Sequence, residues 1–250
     1  MPPHSEDHRA YYDDQQQTNR EFWRRFGGRP EVDGKRVLDI GCGHGAMSIE
    51  LAQAGAEVVG VDTDGSRIQW AERNLIENHP QLASRVTFLA QESTELPFDD
   101  RFDLAVSKDT LEHVADVDGL LGDLRNRLHH NGELWVGFSP LYFSPWGDHG
   151  RAGLRVPWAH ALLPRGLVYR AAARISDHPV RDLSDLGLNG LTPAAFRISV
   201  AQAAMIVVSI SYNRGDNPLL KVMSAARILP ALERYMTVSV YAVLAPRPTV

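Results

Sequence analysis

The sequence predicts an α/β fold: a seven-stranded, mostly parallel sheet with helices on both faces and a lid inserted after the fifth strand. Between residues 36 and 139, short apolar segments alternate with longer amphipathic ones, which is typical of parallel strands joined by helices. Residues 140–190 are irregular and rich in Pro, Gly, Trp, Tyr and His. Two more apolar segments follow and bring the predicted strands to seven.

The N-terminal part of the chain is predicted to be helical over residues 6–26. Its apolar positions are filled by Tyr11, Tyr12, Phe22, Trp23 and Phe26. We therefore expect residues 1–30 to form an N-terminal helical cap. The strands are predicted at residues 36–40, 57–61, 86–90, 102–107, 133–139, 204–212 and 237–245. The helices between the first five strands are predicted at residues 46–54, 65–78 and 117–128, and the last of them carries leucines at helical spacing.

Residues 140–190 show no strand pattern. An irregular stretch of this length inside a compact domain is usually functional, so we expect a substrate-binding lid. Its aromatic side chains either line an acceptor pocket or pack the segment onto the sheet. After the lid, Thr192 and Pro193 have the residue types of a helix N-cap and a first helical position.

The composition and net charge exclude several classes of protein. The 250 residues are 44% hydrophobic and 23% charged, which indicates one globular domain over residues 1–250. Lys and Arg number 26 against 31 Asp and Glu, and the net charge of −5 argues against a nucleic-acid binder. The single cysteine, Cys42, excludes an intrachain disulfide and a multi-cysteine metal site. No signal peptide or transmembrane stretch is recognisable, so we expect a cytoplasmic protein.

A glycine-rich loop is the most informative motif. It lies in residues 37–46, VLDIGCGHGA, where a buried strand is predicted to turn into a helix. Glycine allows unusual backbone dihedrals and lets a ligand approach closely. The pattern Gly41-x-Gly43-x-x-Ala46, with Asp62 about 20 residues on, also satisfies the dinucleotide fingerprint. In either case Asp62 would accept hydrogen bonds from ribose hydroxyls.

Asp39 argues against a dinucleotide as the ligand of this loop. A carboxylate at the mouth of the site is unhelpful beside a pyrophosphate but suits a ligand with ammonium and sulfonium charges. From these residues the sequence resembles the class I, Rossmann-like S-adenosylmethionine-dependent methyltransferases, whose first motif is typically V-L-D-x-G-C-G-x-G. The resemblance covers residues 36–139 and implies S-adenosylmethionine as the cofactor.

Further motifs match this family at the expected spacing along the chain. The resemblance implies that Asp62 binds the ribose, that Thr63 lies beside the adenine, and that Glu92 faces the adenine amino group. The backbone N–H of Ser93 would point at the ring, ahead of the Leu96-Pro97-Phe98 motif. The full set of cofactor-binding candidates is Asp39, Gly41, Cys42, Gly43, Asp62, Thr63, Glu92, Ser93 and Lys108. For Cys42, a small buried residue in the loop is the plainer interpretation.

The segment after the fourth strand bears on the methyl acceptor. Enzymes that methylate nucleobases or glutamine often carry Asn/Asp-Pro-Pro-Tyr here, whereas residues 107–114 read SKDTLEHV. The Leu-Glu-His-Val part resembles the small-molecule branch, including the O-methyltransferases of ubiquinone precursors. This resemblance implies methylation of a hydroxyl group on a small metabolite.

Two catalytic hypotheses follow for this segment. If the chain is helical there, Asp109, Glu112 and His113 share a face and would present oxygen and nitrogen ligands to a divalent ion such as Mg²⁺. Alternatively, His113 alone takes the acceptor proton. His149, from the predicted lid, is the candidate for a further ligand or base. Glu112 and His113 would otherwise only cap and brace the helix.

Other functions remain open from the sequence. The fold supports N- or C-methylation with a changed pocket. A nicotinamide-dependent oxidoreductase and a catalytically silent S-adenosylmethionine-binding protein share the glycine loop. A homodimer is compatible with everything above.

Overall fold

The computed structural model describes residues 7–97 and 99–248. Within them, seven strands form one sheet in the order β3-β2-β1-β4-β5-β7-β6. The strands are β1 Arg36–Ile40, β2 Glu57–Val61, β3 Val86–Leu89, β4 Phe102–Lys108, β5 Leu128–Phe138, β6 Met205–Tyr212 and β7 Val240–Pro246. Strands β1 to β5 pair in parallel, and β7 is antiparallel to both β5 and β6. The predicted mostly parallel sheet is therefore confirmed.

Helices cover both faces of the sheet. They are α1 His8–Phe26, α2 Ala46–Gln53, α3 Gly65–Asn78, α4 Val117–Arg127, α5 Ala159–Leu162, α6 Arg165–Ala172, α7 Pro193–Gln202, α8 Pro218–Ala226 and α9 Glu233–Met236. Apolar side chains of α1, α2 and α3 form one core layer with the sheet, and those of α4 and α7 form the other. None of the helices in the described part of the chain is long and apolar enough to cross a membrane.

Local sequence signals set most element boundaries. The predicted bounds of β1, β2 and α3 match the structure. Helix α3 begins where the side chain of Asp64 accepts hydrogen bonds from the backbone of Ser66 and Arg67. Helix α7 begins as predicted, because Oγ1 of Thr192 accepts a 3.1 Å hydrogen bond from the backbone N–H of Ala195.

The prediction was less accurate after residue 128. Strand β5 begins at Leu128, not at residue 133, and residues 129–132 bulge out, since Leu128 lies opposite Phe102 but Glu133 lies opposite Leu104. Helices α5 and α6 lie in the segment expected to be irregular. Helix α6 is stabilised by a small separate core within that segment, which includes Val168.

The parallel register gathers the predicted site residues at one edge of the sheet. Asp39 lies beside Gly60 of β2 and beside Val106 of β4. The loops that follow β1, β2 and β4 therefore leave the sheet side by side. This is the edge where open α/β sheets bind their ligands.

Candidate functional site

The glycine loop joins β1 to α2 in a conformation that favours glycine. Gly41, Gly43 and Gly45 have φ angles of 70°, 53° and 79°. A Cβ atom on Gly41 would lie 2.3 Å from Oγ1 of Thr110, so the close approach of the segment after β4 also favours glycine there. A Cβ atom on Gly43 would meet nothing within 4 Å. The loop therefore borders open space at Gly43, where a ligand can approach the backbone.

Asp62 holds the loop and faces the same space. Its Oδ2 atom accepts a 2.9 Å hydrogen bond from the backbone N–H of Gly43, and its Oδ1 atom accepts one of 2.8 Å from Asp64. These two bonds fix the orientation of a half-buried carboxylate, whose remaining lone pairs are available to ribose hydroxyls. Thr63 is exposed beside it, as a residue that lines an adenine site would be.

Asp39 lies beneath the loop, although we expected it at the mouth of the site. It is only 2% exposed, and the hydroxyl of Ser48 in α2 donates a 2.6 Å hydrogen bond to its Oδ2 atom. Burial raises the pKa of this carboxyl to about 7. Burial also raises the pKa of the Cys42 thiol well above its usual value, which agrees with a structural role for that residue.

The residues after β3 separate into one exposed and one buried side chain. Glu92 is exposed, and its Oε2 atom accepts a 3.3 Å hydrogen bond from Thr94. Ser93 is buried, and its hydroxyl donates a 2.9 Å hydrogen bond to Oδ2 of Asp123 in α4. Ser93 therefore ties this turn to α4 with its side chain, and its backbone carbonyl accepts a 3.2 Å hydrogen bond from the backbone N–H of Leu96. Phe98 of the Leu-Pro-Phe motif lies outside the described residues.

Lys108, at the end of β4, is directed at helix α1. Its Nζ atom donates to oxygens of three residues on α1, at 2.7 Å for Thr18, 2.9 Å for Asn19 and 3.1 Å for the Gln15 side chain. Burial lowers the pKa of Lys108 to about 8. Lys108, which we predicted to bind the cofactor, thus holds α1 against the edge of the sheet from which the loops emerge.

The contribution of α1 to the site was missed by sequence reasoning. Nδ1 of His8 lies 2.8 Å from Nε2 of His44 in the glycine loop, and the Tyr11 ring lies 4.9 Å from the His44 ring. Burial raises the pKa of Tyr11, and the nearby carboxylates of Asp109 and Asp62 raise it further. We assigned Tyr11 as an apolar helix position like Tyr12. No local pattern distinguishes the two, although Tyr12 alone enters the core.

A half-buried acid, Asp109, and a buried one, Glu112, follow β4. Asp109 has a φ of 51°, and its Oδ1 atom lies 3.4 Å from the donating hydroxyl of Ser139. The backbone N–H of Ser139 donates a 3.2 Å hydrogen bond to Oε1 of Glu112. Burial raises the pKa of Asp109 to about 6, and burial and the charge of Asp109 raise that of Glu112 well above its usual value. The Oε2 atom of Glu112 is buried and has no hydrogen-bond partner among the described residues.

The two predicted catalytic histidines are neighbours. The rings of His113 and His149 lie 5.3 Å apart at an angle of 69°. Nδ1 of His113 lies 2.6 Å from the carbonyl oxygen of Gly187, and Nε2 of His149 lies 2.9 Å from that of Pro140, so these nitrogens carry the protons. Burial lowers the pKa of both imidazoles, to about 4 for His149. Both are therefore neutral near pH 7, and each keeps one basic nitrogen.

The predicted metal site does not assemble. Within residues 7–97 and 99–248, no group of three His, Cys, Asp or Glu side chains is placed to hold an ion. Residues 111–113 form a short 3₁₀ turn and not an α-helix, so Asp109, Glu112 and His113 do not share one helical face. The Nδ1 atom of His113 is also engaged by the carbonyl oxygen of Gly187 and is not free to bind an ion.

Known proteins with similar sequences include methyltransferases. A family profile described as a methyltransferase domain matches residues 31–138. The ubiquinone biosynthesis O-methyltransferase of Bradyrhizobium sp. (strain ORS 278) is 35% identical over 135 residues, which are 54% of this chain and 51% of that protein. The chain thus matches about half the length of this curated relative.

Solved structures agree with the fold over nearly the whole chain. An S-adenosylmethionine-dependent methyltransferase from Mesorhizobium loti superposes with a TM-score of 0.61 at 18% identity, covering 94% of this chain and 99% of that one. Geranyl diphosphate C-methyltransferase from Streptomyces coelicolor A3(2) superposes with a TM-score of 0.60 at 15% identity, covering 98% and 85%. The fold predicted from the glycine loop and the strand pattern is confirmed.

Proposed function

We propose that this chain, in which residues 31–138 match a methyltransferase domain, is a class I methyltransferase that transfers a methyl group from S-adenosylmethionine to a hydroxyl group of a small molecule. The observation that carries the proposal is the pairing of Gly43 with Asp62 beside open space. Free space beside the glycine and a fixed carboxylate are what a nucleoside with free ribose hydroxyls requires.

The residues present fit this cofactor. Asp62 would bind the ribose, and Thr63, exposed Glu92 and the backbone of Ser93 would surround the adenine. Gly41, Cys42 and Gly43 would pass beneath the methionine part. Asp39 and Lys108 would support the loop and α1, since both side chains already have partners within the protein. When bound, the cofactor supplies a methyl group on a sulfonium, which transfers by in-line displacement.

The chain's own contribution is to position the acceptor and take its proton. Most of the rate of such a displacement can come from holding the acceptor in line with the breaking bond. Neutral His113 and His149 each have one unprotonated nitrogen, and in this proposal one of these nitrogens accepts the hydroxyl proton as the oxygen attacks. Burial raises the pKa of Asp109 and of Glu112, so each carboxyl keeps its proton to a higher pH than an exposed acid does, and in that form it can donate a hydrogen bond that orients a polar acceptor.

No step of the proposal passes through a metal ion, because the acids and His113 are not arranged as ligands. The segment 140–190 is proposed as the substrate-binding lid, since it delivers His149 to His113. Residues 1–30 are proposed as the helical cap of a single methyltransferase domain over residues 1–250. A cytoplasmic location, the absence of a nucleic-acid partner and a possible homodimer complete the proposal.

Methylation of carbon or nitrogen is the second candidate. It is favoured by the structural likeness to a C-methyltransferase, whose reaction does not require a hydroxyl acceptor. In that case a base would still be needed for a carbon-bound or ammonium proton.

The test is methyl transfer from labelled S-adenosylmethionine to a panel of catechols, phenols and matched anilines. We expect label in the phenolic products, with the methyl placed on oxygen by mass spectrometry and NMR. Labelling of nitrogen or carbon alone would contradict O-methylation. Cofactor binding without transfer to any acceptor would support a silent binding protein.

A further inference from the structure

An ionisable pair, Asp148 and His160, is buried in the segment that carries His149. Asp148 is 1% exposed and His160, in α5, is 3% exposed. Oδ1 of Asp148 lies 3.7 Å from Nδ1 of His160. Side chains of this kind are rarely buried so completely, because removal from water costs free energy that a partner must offset. Since an apolar pair of similar volume is often as stable, this buried pair indicates a role besides packing.

The hydrogen bonds of the buried pair reach the backbone on both sides of His149. Nε2 of His160 lies 2.5 Å from the carbonyl oxygen of Tyr142, and because a carbonyl only accepts, Nε2 carries a proton. Nδ1 of His160 then faces the Asp148 carboxylate, which repels a lone pair and attracts a proton. Oδ2 of Asp148 accepts a 3.2 Å hydrogen bond from the backbone N–H of Ala152. The buried pair thus links the chain before His149 to the chain after it.

The turn that carries His149 is tightly folded. Nε2 of His149 donates a 2.9 Å hydrogen bond to the carbonyl oxygen of Pro140. Gly147 has no side chain at a point where a Cβ atom would collide with the carbonyl oxygen of Tyr142. The φ of His149 is 54°, a left-handed conformation that costs free energy for a residue with a Cβ atom. Surrounding contacts must therefore hold this turn, and the buried pair supplies two of them.

The turn also gives His149 a carboxylate neighbour. Because Nε2 donates to Pro140, Nδ1 is the unprotonated nitrogen of His149, and it is buried without a hydrogen-bond partner among the described residues. Burial lowers the pKa of His149 to about 4, and the charges of His113 and Arg151 lower it as well, whereas the charge of Asp148 raises it. Within the described part of the chain, His113 has a backbone carbonyl as its partner and lacks such a carboxylate. A proton on His149 is therefore supported by a charge that His113 does not have.

We propose that Asp148, held by His160, is a positioning residue for methyl transfer, and that His149 is the base that it positions. The inference rests on the proposed transfer to a hydroxyl group. The acceptor oxygen bonds to the methyl carbon, the carbon–sulfur bond breaks with its electron pair staying on sulfur, and the hydroxyl proton moves to Nδ1 of His149. The buried pair keeps Nδ1 directed at the acceptor, and the Asp148 carboxylate stabilises the imidazolium that forms.

The test is a double-mutant cycle on the full chain. Asp148→Asn should lower kcat roughly tenfold and leave the acceptor KM and the S-adenosylhomocysteine affinity unchanged, because a misplaced base slows only the chemical step. His160→Gln, which can still donate to Tyr142, should do the same. In the His149→Ala background, Asp148→Asn should have no further effect on kcat, since no base remains to be positioned. Effects that multiply in the double variant, or an unchanged kcat in Asp148→Asn, would overturn the proposal.

The matched control is Asp177→Asn. Asp177 and His178 form another Asp–His contact in the same segment, at 3.9 Å, but Asp177 is 98% exposed, so its replacement should leave kcat unchanged.

Hydrogen exchange measures the positioning without catalysis. Residues 146–152 should exchange roughly tenfold faster in Asp148→Asn than in the wild type, whereas β1 should exchange at the same rate in both. Equal exchange of residues 146–152 in the two proteins would overturn the positioning role. If the wild type transfers no methyl group, the proposed function fails, and the exchange rates still decide whether the buried pair holds the turn.

Discussion

The backbone N–H of Gly43 donates a 2.9 Å hydrogen bond to Oδ2 of Asp62, and this bond joins the two motifs that a nucleoside cofactor would contact. It links the loop after β1 to the end of β2 before any ligand is bound. The carboxylate is therefore held in place by the protein itself, so little entropy is lost in orienting it when a ribose binds.

The first prediction concerns Asp62. Asp62→Asn keeps the size of the side chain but removes a charged acceptor, and a charge-assisted hydrogen bond contributes about 1.5–3 kcal/mol. We expect S-adenosylhomocysteine affinity to fall by roughly tenfold or more in calorimetry. Asp118→Asn, an exposed substitution on α4, should have no effect. Equal affinity of a folded Asp62→Asn variant and the wild type would rule out the ribose role.

The second prediction concerns Asp39 and pH. Because burial raises the pKa of Asp39 from its ordinary value of 3.8 to about 7 in the folded protein, the protonated carboxyl favours the folded state. Its contribution to stability is complete below about pH 4 and is lost as the pH rises through 7. Asp39→Asn should therefore flatten this pH dependence and raise the free energy of unfolding at pH 8. Parallel pH profiles for wild type and variant, from denaturant unfolding without cofactor, would show that Asp39 is not the titrating group.

The third prediction concerns the paired histidines. His113→Ala and His149→Ala should each lower kcat by about 100-fold while leaving cofactor affinity unchanged. The control is His178→Ala, which replaces an exposed histidine.

The pH dependence of activity follows from the same two histidines. Since burial lowers the pKa of both imidazoles, activity should decline only on the acid side of pH 6.5, where they become protonated. Chelation with EDTA should leave turnover intact. Near-normal turnover in both variants would eliminate the histidines as bases.

The fourth prediction concerns the proposed lid. Trypsin should cut first within residues 140–190, where exposed arginines such as Arg155 and Arg165 are available. S-adenosylhomocysteine together with an acceptor should slow this cleavage, because a closed lid is less accessible. Identical cleavage rates with and without both ligands would contradict a lid that closes over substrate.

The sequence predicted the elements that depend on local patterns. The predicted bounds of β1, β2 and α3 match the structure because each depends on a local pattern. These patterns are an apolar run, a glycine turn and the Asp64 cap, and each spans only a few residues. Asp62 was recognised from its spacing after the glycine loop, but its hydrogen bond with Gly43 was not predicted. The predicted proximity of His149 to His113 also agrees with the structure.

Features that depend on distant contacts were not predictable. The burial of Asp39 depends on Ser48 in α2, and the direction of Lys108 depends on α1, about 90 residues earlier in the chain. Helix α6 is short and packs only on the core of its own segment, so its apolar pattern is weak. The metal hypothesis assumed helical spacing, whereas the chain forms a 3₁₀ turn at residues 111–113, where that spacing does not apply.

Titration of the wild-type protein with S-adenosylhomocysteine and, separately, with NAD⁺ and NADH tests the central claim most directly. The glycine loop fits both classes of nucleotide by pattern alone, and calorimetry distinguishes them. We expect S-adenosylhomocysteine to bind with a Kd in roughly the micromolar range and the nicotinamide nucleotides not to bind. Binding of NAD⁺ or NADH without binding of S-adenosylhomocysteine would contradict the account.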